Sequence, residues 1–186
     1  MEKKLSKNQS KDKNALLIID VQSKIIRPIE NHKIIISNIE KLLRAFEILE
    51  SHVYISEQNP SKLGSTVENL LPKITYKKLS KMEFSVGRNQ ILQKDIYSKG
   101  ISNIIICGFE THICIQQSVL DFIEQNKKVY IIADAMSSRN KIDHDISLKR
   151  MISKGGNIAS TESMIFELCK TANRKEFKEI RNIILS

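Results

Sequence analysis

A cysteine sits where a buried run opens into a helix. Residues 104–115 read Ile-Ile-Ile-Cys-Gly-Phe-Glu-Thr-His-Ile-Cys-Ile, which places Cys114 after an apolar strand and a glycine turn, in the first turn of a helix. Free N–H groups and the positive end of the helix dipole favour a thiolate there, and the same N–H groups suit an oxyanion that develops when the thiolate attacks a carbonyl. Taken alone, a free cysteine in such a place is more often a buried structural thiol. Cys107, inside the strand, and Cys169, on a late helix, are assigned that role. Lys81 follows a third strand in Leu79-Ser80-Lys81-Met82-Glu83-Phe84-Ser85; an ammonium beside a thiol lowers its pKa. Asp20 ends the first buried run, and a carboxylate there can take a proton from a thiol or a water. Each residue has a plainer reading, as a solvated lysine or a capping Asp. All three are expected at the same edge of one sheet.

The elements that place them alternate along the chain. Residues 15–19 are five apolar residues in a row, closed by Asp20, which fits a strand buried on both faces. Residues 32–50 carry Ile35, Ile39, Leu42, Leu43, Phe46 and Leu49 at helical spacing. Further strands are predicted at 52–56, 74–79 (polar, hence at an edge), 103–107, 128–133 and 157–159. Helices are predicted at 66–71, 89–99, 111–125, 143–153 and 161–170, with Ser160 or Thr161 capping the last. This order predicts a three-layer α/β/α, doubly wound, Rossmann-like sheet of about six parallel strands. Ligands bind such sheets past the carboxyl ends of the strands. The organisation read from the chain is a mobile basic tail at 1–13, one domain at 14–172, and a C-terminal helix within 173–186. That helix covers either the same chain or a partner with Phe177, Ile180, Ile183 and Ile184.

Composition narrows the class. The chain has 186 residues with 41% hydrophobic and 27% charged, enough to bury a core of its own without a disulfide framework. No apolar run approaches the ~18 residues of a membrane span, so no membrane association is expected. Three cysteines without a Cys-x-x-Cys pair, after a polar, lysine-rich start, point to a reducing cytoplasmic setting. The net charge of +9 is scattered, five of its lysines lie within residues 1–13, and aromatics are only 5%. A nucleic-acid binder needs a concentrated basic stripe interleaved with aromatics; the expectation is a solvated basic surface and no nucleic-acid partner.

Residues 16–22 (Leu-Leu-Ile-Ile-Asp-Val-Gln), Lys81 with Phe84-Ser85, and Gly108-Phe109-Glu110-Thr111-His112-Ile113-Cys114-Ile115 together resemble the isochorismatase-like hydrolase family, the cysteine hydrolases. The resemblance spans about residues 14–172. Residues 56–64, 133–139 and 161–168 extend it toward the branch of isochorismatase-domain proteins of unassigned substrate. It implies a catalytic triad of Asp20, Lys81 and Cys114. It also implies a cis peptide between Phe109 and Glu110, and an oxyanion hole from the N–H groups of Glu110 and Cys114. Gln22, Gln58, Phe84, Phe109 and His112 are candidate substrate contacts, with His112 otherwise ordering its loop, in company with Glu110. Asp134 with Ser137-Ser138-Arg139 reads as a structural strand-end cluster.

The metal-binding Asp-x-His of nicotinamidase-type members is replaced here by Ser56-Glu57-Gln58-Asn59-Pro60, and the four histidines are dispersed. No metal and no cofactor are therefore expected. Members that cleave a vinyl ether lack the cysteine that is present here. The expected activity is metal-independent hydrolysis of a small-molecule amide or related C–N bond through a thioester, in a homo-oligomer. The alternative is a catalytically silent binding protein that keeps the pocket.

Overall fold

The computed structural model describes residues 13–185; all but the last residue of the predicted tail lies outside them. Six parallel strands form one sheet: β1 (Asn14–Ile19), β2 (His52–Gln58), β3 (Tyr76–Lys81), β4 (Asn103–Phe109), β5 (Lys128–Ser137) and β6 (Asn157–Ala159), in the order β3-β2-β1-β4-β5-β6. The helices are α1 (Ser23–Ile26), α2 (His32–Ile48), α3 (Pro60–Leu63), α4 (Gln90–Ser98), α5 (Gln116–Glu124), α6 (Lys141–Ser153), α7 (Thr161–Cys169) and α8 (Phe177–Leu185). The unbroken apolar run of β1 follows from cover on both faces. Leu16 and Ile18 pack with Ile39, Leu42 and Phe46 of α2, Ile165 of α7 and Ile180 and Ile183 of α8. Ala15, Leu17 and Ile19 pack with Leu92 of α4, Val119 and Phe122 of α5 and Met151 of α6. The C-terminal helix thus covers its own chain.

The strand order reverses between β1 and β4, and this is where a doubly wound sheet opens a crevice. The two strands lie close there because β4 ends in a glycine. Gly108 has φ +121°, and a Cβ on it would stand 2.1 Å from the Ile19 carbonyl oxygen.

Three elements differ from expectation in ways that matter for the site. Strand β3 starts and ends two residues later than predicted. Its period-two alternation buries Leu79 and Lys81 together, while Ile74 packs on the core from the preceding loop. Strand β5 does not stop at Asp134 but runs on to Ser137, past a bulge: Ile106 pairs with Ile131 and Gly108 with Met136, so two steps on β4 match five on β5. The bulge carries Ser138 and Arg139 alongside the end of β4. Finally, residues 111–115 form a single wide π-type turn ahead of α5, with the Ile115 N–H reaching the Glu110 carbonyl at 3.3 Å. Cys114 sits in that turn rather than in the α-helix proper, and such turns concentrate at functional sites.

Candidate active site

At the carboxyl edge of the sheet the chain brings Asp20, Lys81 and Cys114 together. Asp20 follows β1 at φ +52°, a left-handed conformation uncommon for a side-chain-bearing residue and tolerated best by Asp and Asn. Its carboxylate is fully buried and held from two sides: the Ser56 hydroxyl donates to Oδ1 at 2.7 Å and the Lys81 ammonium to Oδ2 at 2.6 Å. Lys81, at the end of β3, spends its other two N–H bonds on Gln58 Oε1 at 2.7 Å and the Phe84 carbonyl at 3.1 Å. An ammonium has three donors and all three have partners. A buried ion pair needs such additional hydrogen bonds, because its Coulombic attraction alone does not reliably offset desolvation.

Cys114 is 6% exposed and its sulfur lies 4.0 Å from Gln58 Oε1. Its thiol is pushed up to about 12, first by burial and then by the negative charge of Asp20, with Lys81 pulling the other way. The helix terminus and Lys81 favour a thiolate, but burial and the Asp20 carboxylate, which opposes a second anion beside it, outweigh the lysine's pull. The arrangement sets a thiol beside a buried carboxylate and its ammonium partner. Cys107 is fully buried in β4 and burial alone pushes its thiol up.

The cysteine opens on a cavity of about 250 Å³. Ile25, Pro28, Leu63, Phe84, Phe109 and Ile113 supply apolar wall, Gln58 and Glu110 supply polar groups, and Lys24 and Arg139 add two cations. The peptide bond between Phe109 and Glu110 is cis. Of the residues expected to touch substrate, Gln58, Phe84 and Phe109 line this cavity. Gln22 and His112 do not. Gln22 is buried beside β2, where its side-chain amide bonds the Gln58 carbonyl (3.0 Å), the Gln58 N–H (2.7 Å) and the Gly64 carbonyl (2.5 Å). A long amide that saturates backbone groups splints the end of β2 and leaves nothing for a ligand. His112 turns to Ser138, with 2.9 Å between Nδ1 and the hydroxyl; it orders its loop through that serine and not through Glu110. The Glu110 carboxylate instead accepts the Arg139 N–H at 3.0 Å and faces its Nε at 3.3 Å. The expected cluster at 134–139 is therefore divided. Asp134 caps α7 through the Thr161 N–H and hydroxyl, at 2.7 and 2.9 Å, while Arg139 belongs to the cavity.

Two supporting residues went unread in the sequence. Ser56 closes the run Val53-Tyr54-Ile55 of β2, and its place at the strand's carboxyl end was the available signal. Ser118 lies one helical turn after Cys114. Its hydroxyl donates to the Cys114 carbonyl at 2.6 Å and accepts the Val86 N–H at 3.0 Å, tying the cysteine turn to the segment that carries Lys81.

Residues 14–163 match the family model described as the Isochorismatase domain. The chain belongs to the isochorismatase family. Membership supports a hydrolase-type function. This isochorismatase-family chain is 37% identical over 172 residues to isochorismatase family protein 1B of Dictyostelium discoideum, covering 90% of this chain and 84% of that one. It is 32% identical over 172 residues to isochorismatase domain-containing protein 2 of Xenopus laevis, covering 92% and 83%. Among solved structures it is similar to a protein called MAR1 ribonuclease from Caenorhabditis elegans, with a TM-score of 0.88, 29% identity, and coverage of 96% of this chain and 92% of that one. Among the described residues, no helix is long and apolar enough to cross a membrane, and no group of three or more His, Cys, Asp or Glu side chains is placed to hold a metal ion.

Proposed function

We propose that the chain is a metal-independent cysteine hydrolase acting on a small amide or related C–N bond, with Asp20, Lys81 and Cys114 as its catalytic groups. The observation that carries this reading is the buried Asp20–Lys81 pair bearing directly on a thiol that opens on a cavity. In the first half-reaction the Cys114 sulfur bonds to the substrate carbonyl carbon as its proton passes to Asp20. The carbonyl electron pair moves to oxygen, which the N–H groups of Glu110 and Cys114 receive. Collapse of this intermediate breaks the C–N bond, and the leaving amine takes the proton from Asp20, giving a thioester. In the second half-reaction Asp20 deprotonates a water that attacks the thioester. The carboxylic acid departs and the sulfur regains a proton from Asp20. Lys81 stays charged throughout and keeps Asp20 an oriented base.

A catalytically silent binding protein is the second reading. The upward displacement of the Cys114 thiol is the observation in its favour. Incubation with a panel of small amides, with ammonia as the readout, separates the two. The hydrolase reading predicts release that Cys114→Ala abolishes; no release from any amide, with binding retained, supports the silent reading. RNA belongs in the same panel because of the name carried by the nematode relative, and cleavage that survives Cys114→Ala would refute the thiol mechanism.

A further inference from the structure

Resting on the hydrolase reading, we infer that the substrate is a small carboxylate-bearing amide whose anionic end is held by Lys24 and Arg139. The cavity's composition points there. Its walls are apolar side chains, its polar groups are Gln58 and Glu110 beside Cys114, and among the described residues the only cations on it are Lys24 and Arg139, against the single carboxylate of Glu110. Apolar pockets fix the pose of a ligand with a few convergent polar groups. Here those groups leave an excess positive charge facing a space of about 250 Å³, smaller than the roughly 300–1,000 Å³ typical of drug-sized ligands. The Asp20–Lys81 pair is neutral as a unit and is fully enclosed, so it does not cancel that charge.

Both cations are anchored yet retain donors. Lys24, on the short helix α1, donates to the Lys62 carbonyl at 2.7 Å, which uses one of three N–H bonds. Arg139 meets Glu110 through Nε at 3.3 Å, and its guanidinium carries four further N–H donors in a planar fork suited to a carboxylate. Anchoring removes part of the entropy that a free lysine or arginine loses on binding. The β5 bulge that delivers Arg139 to this wall thereby acquires a role in recognition. The chain's net charge of +9 works in the same direction, drawing small anions toward the protein.

Paired alkylation of Cys114 tests the inference without a known substrate. Iodoacetate and iodoacetamide both form a carbon–sulfur bond and expel iodide, the thiol proton passing to Asp20 or buffer. They differ in that one carries a carboxylate and the other a neutral amide. Rates at Cys114 are read by peptide mass spectrometry of the full chain, with glutathione under the same conditions as the reference. The expected result is an iodoacetate-to-iodoacetamide ratio above that of glutathione, falling about tenfold in the Lys24→Gln, Arg139→Gln double variant, as for loss of a charge-assisted hydrogen bond. A ratio at or below that of glutathione, or one that the double variant leaves unchanged, overturns the carboxylate while leaving the nucleophile intact. Labelling of Cys114 by neither reagent overturns both the hydrolase reading and the inference built on it.

Discussion

Replacing Asp20 by Asn separates the two effects this residue has on Cys114. In the proposed mechanism Asp20 is the base that turnover requires, yet as an anion it holds the thiol up. Asn keeps one oxygen to accept from the Lys81 ammonium and sets an amide N–H against the Ser56 hydroxyl, which can accept it, while the charge is removed. Two unit charges about 4 Å apart at an effective dielectric of about 20 interact by about 4 kcal/mol, or about 3 pH units, which sets a ceiling on the fall of the thiol pKa. Burial, the larger cause of the displacement, persists, so a fall of between about one and three units is expected. A lower pKa raises the thiolate fraction tenfold per unit at pH 8 but weakens the nucleophile, so the net gain in alkylation is about three- to forty-fold. Turnover of a responsive amide should fall by at least about a hundredfold, the usual worth of a general base. The assay is iodoacetamide labelling of Cys114 as a function of pH, beside ammonia release, on both proteins. Slower or unchanged labelling in Asp20→Asn would refute the electrostatic reasoning. Undiminished turnover would refute the role of Asp20.

Three further outcomes follow from the geometry. Lys81→Met leaves a buried carboxylate without its cation and should cost about 3–5 kcal/mol in chemical denaturation; a loss below about 1 kcal/mol would mean the pair is not closed from water as described. Gly108→Ala puts a methyl group 2.1 Å from the Ile19 carbonyl oxygen at φ +121° and should prevent accumulation of folded protein, whereas Gly100→Ala, with open space around it at φ +64°, should cost only about 1–2 kcal/mol. His144 Nδ1 lies 2.9 Å from the Thr111 hydroxyl and burial lowers the imidazole's pKa. The unfolded chain therefore binds the proton more readily, and stability should fall as pH drops below about 6.5, the ordinary histidine value. His144→Gln should flatten that part of the thermal-melt profile, and an unchanged slope would assign the effect to other groups.

Much of the layout was legible because it is local. The run at 15–19 fits a strand covered on both sides, the polar β3 belonged at an edge, and glycine after residue 107 marked the turn into the cysteine segment. What stayed hidden depends on partners distant in sequence. The extra residues in β5 are a bulge only against the register of β4, so nothing in residues 133–139 alone shows that Arg139 reaches Glu110. Gln22 and His112 have the chemistry of ligand contacts, but backbone carbonyls and Ser138 occupy them. The direction in which the thiol is displaced is hidden for the same reason: Lys81 does pull it down, but burial and Asp20, whose salt bridge to Lys81 spans 61 residues of chain, push it further up.

The sulfur of Cys114 as the atom that takes the acyl group is tested most directly by trapping it there. Rapid acid quench of the full chain with a turned-over amide, followed by intact-mass and peptide mass spectrometry, should show the substrate's acyl mass on the peptide containing Cys114, and none on Cys114→Ala. Turnover that proceeds with no such mass under single-turnover conditions, or an acyl group found on another residue, would contradict the mechanism.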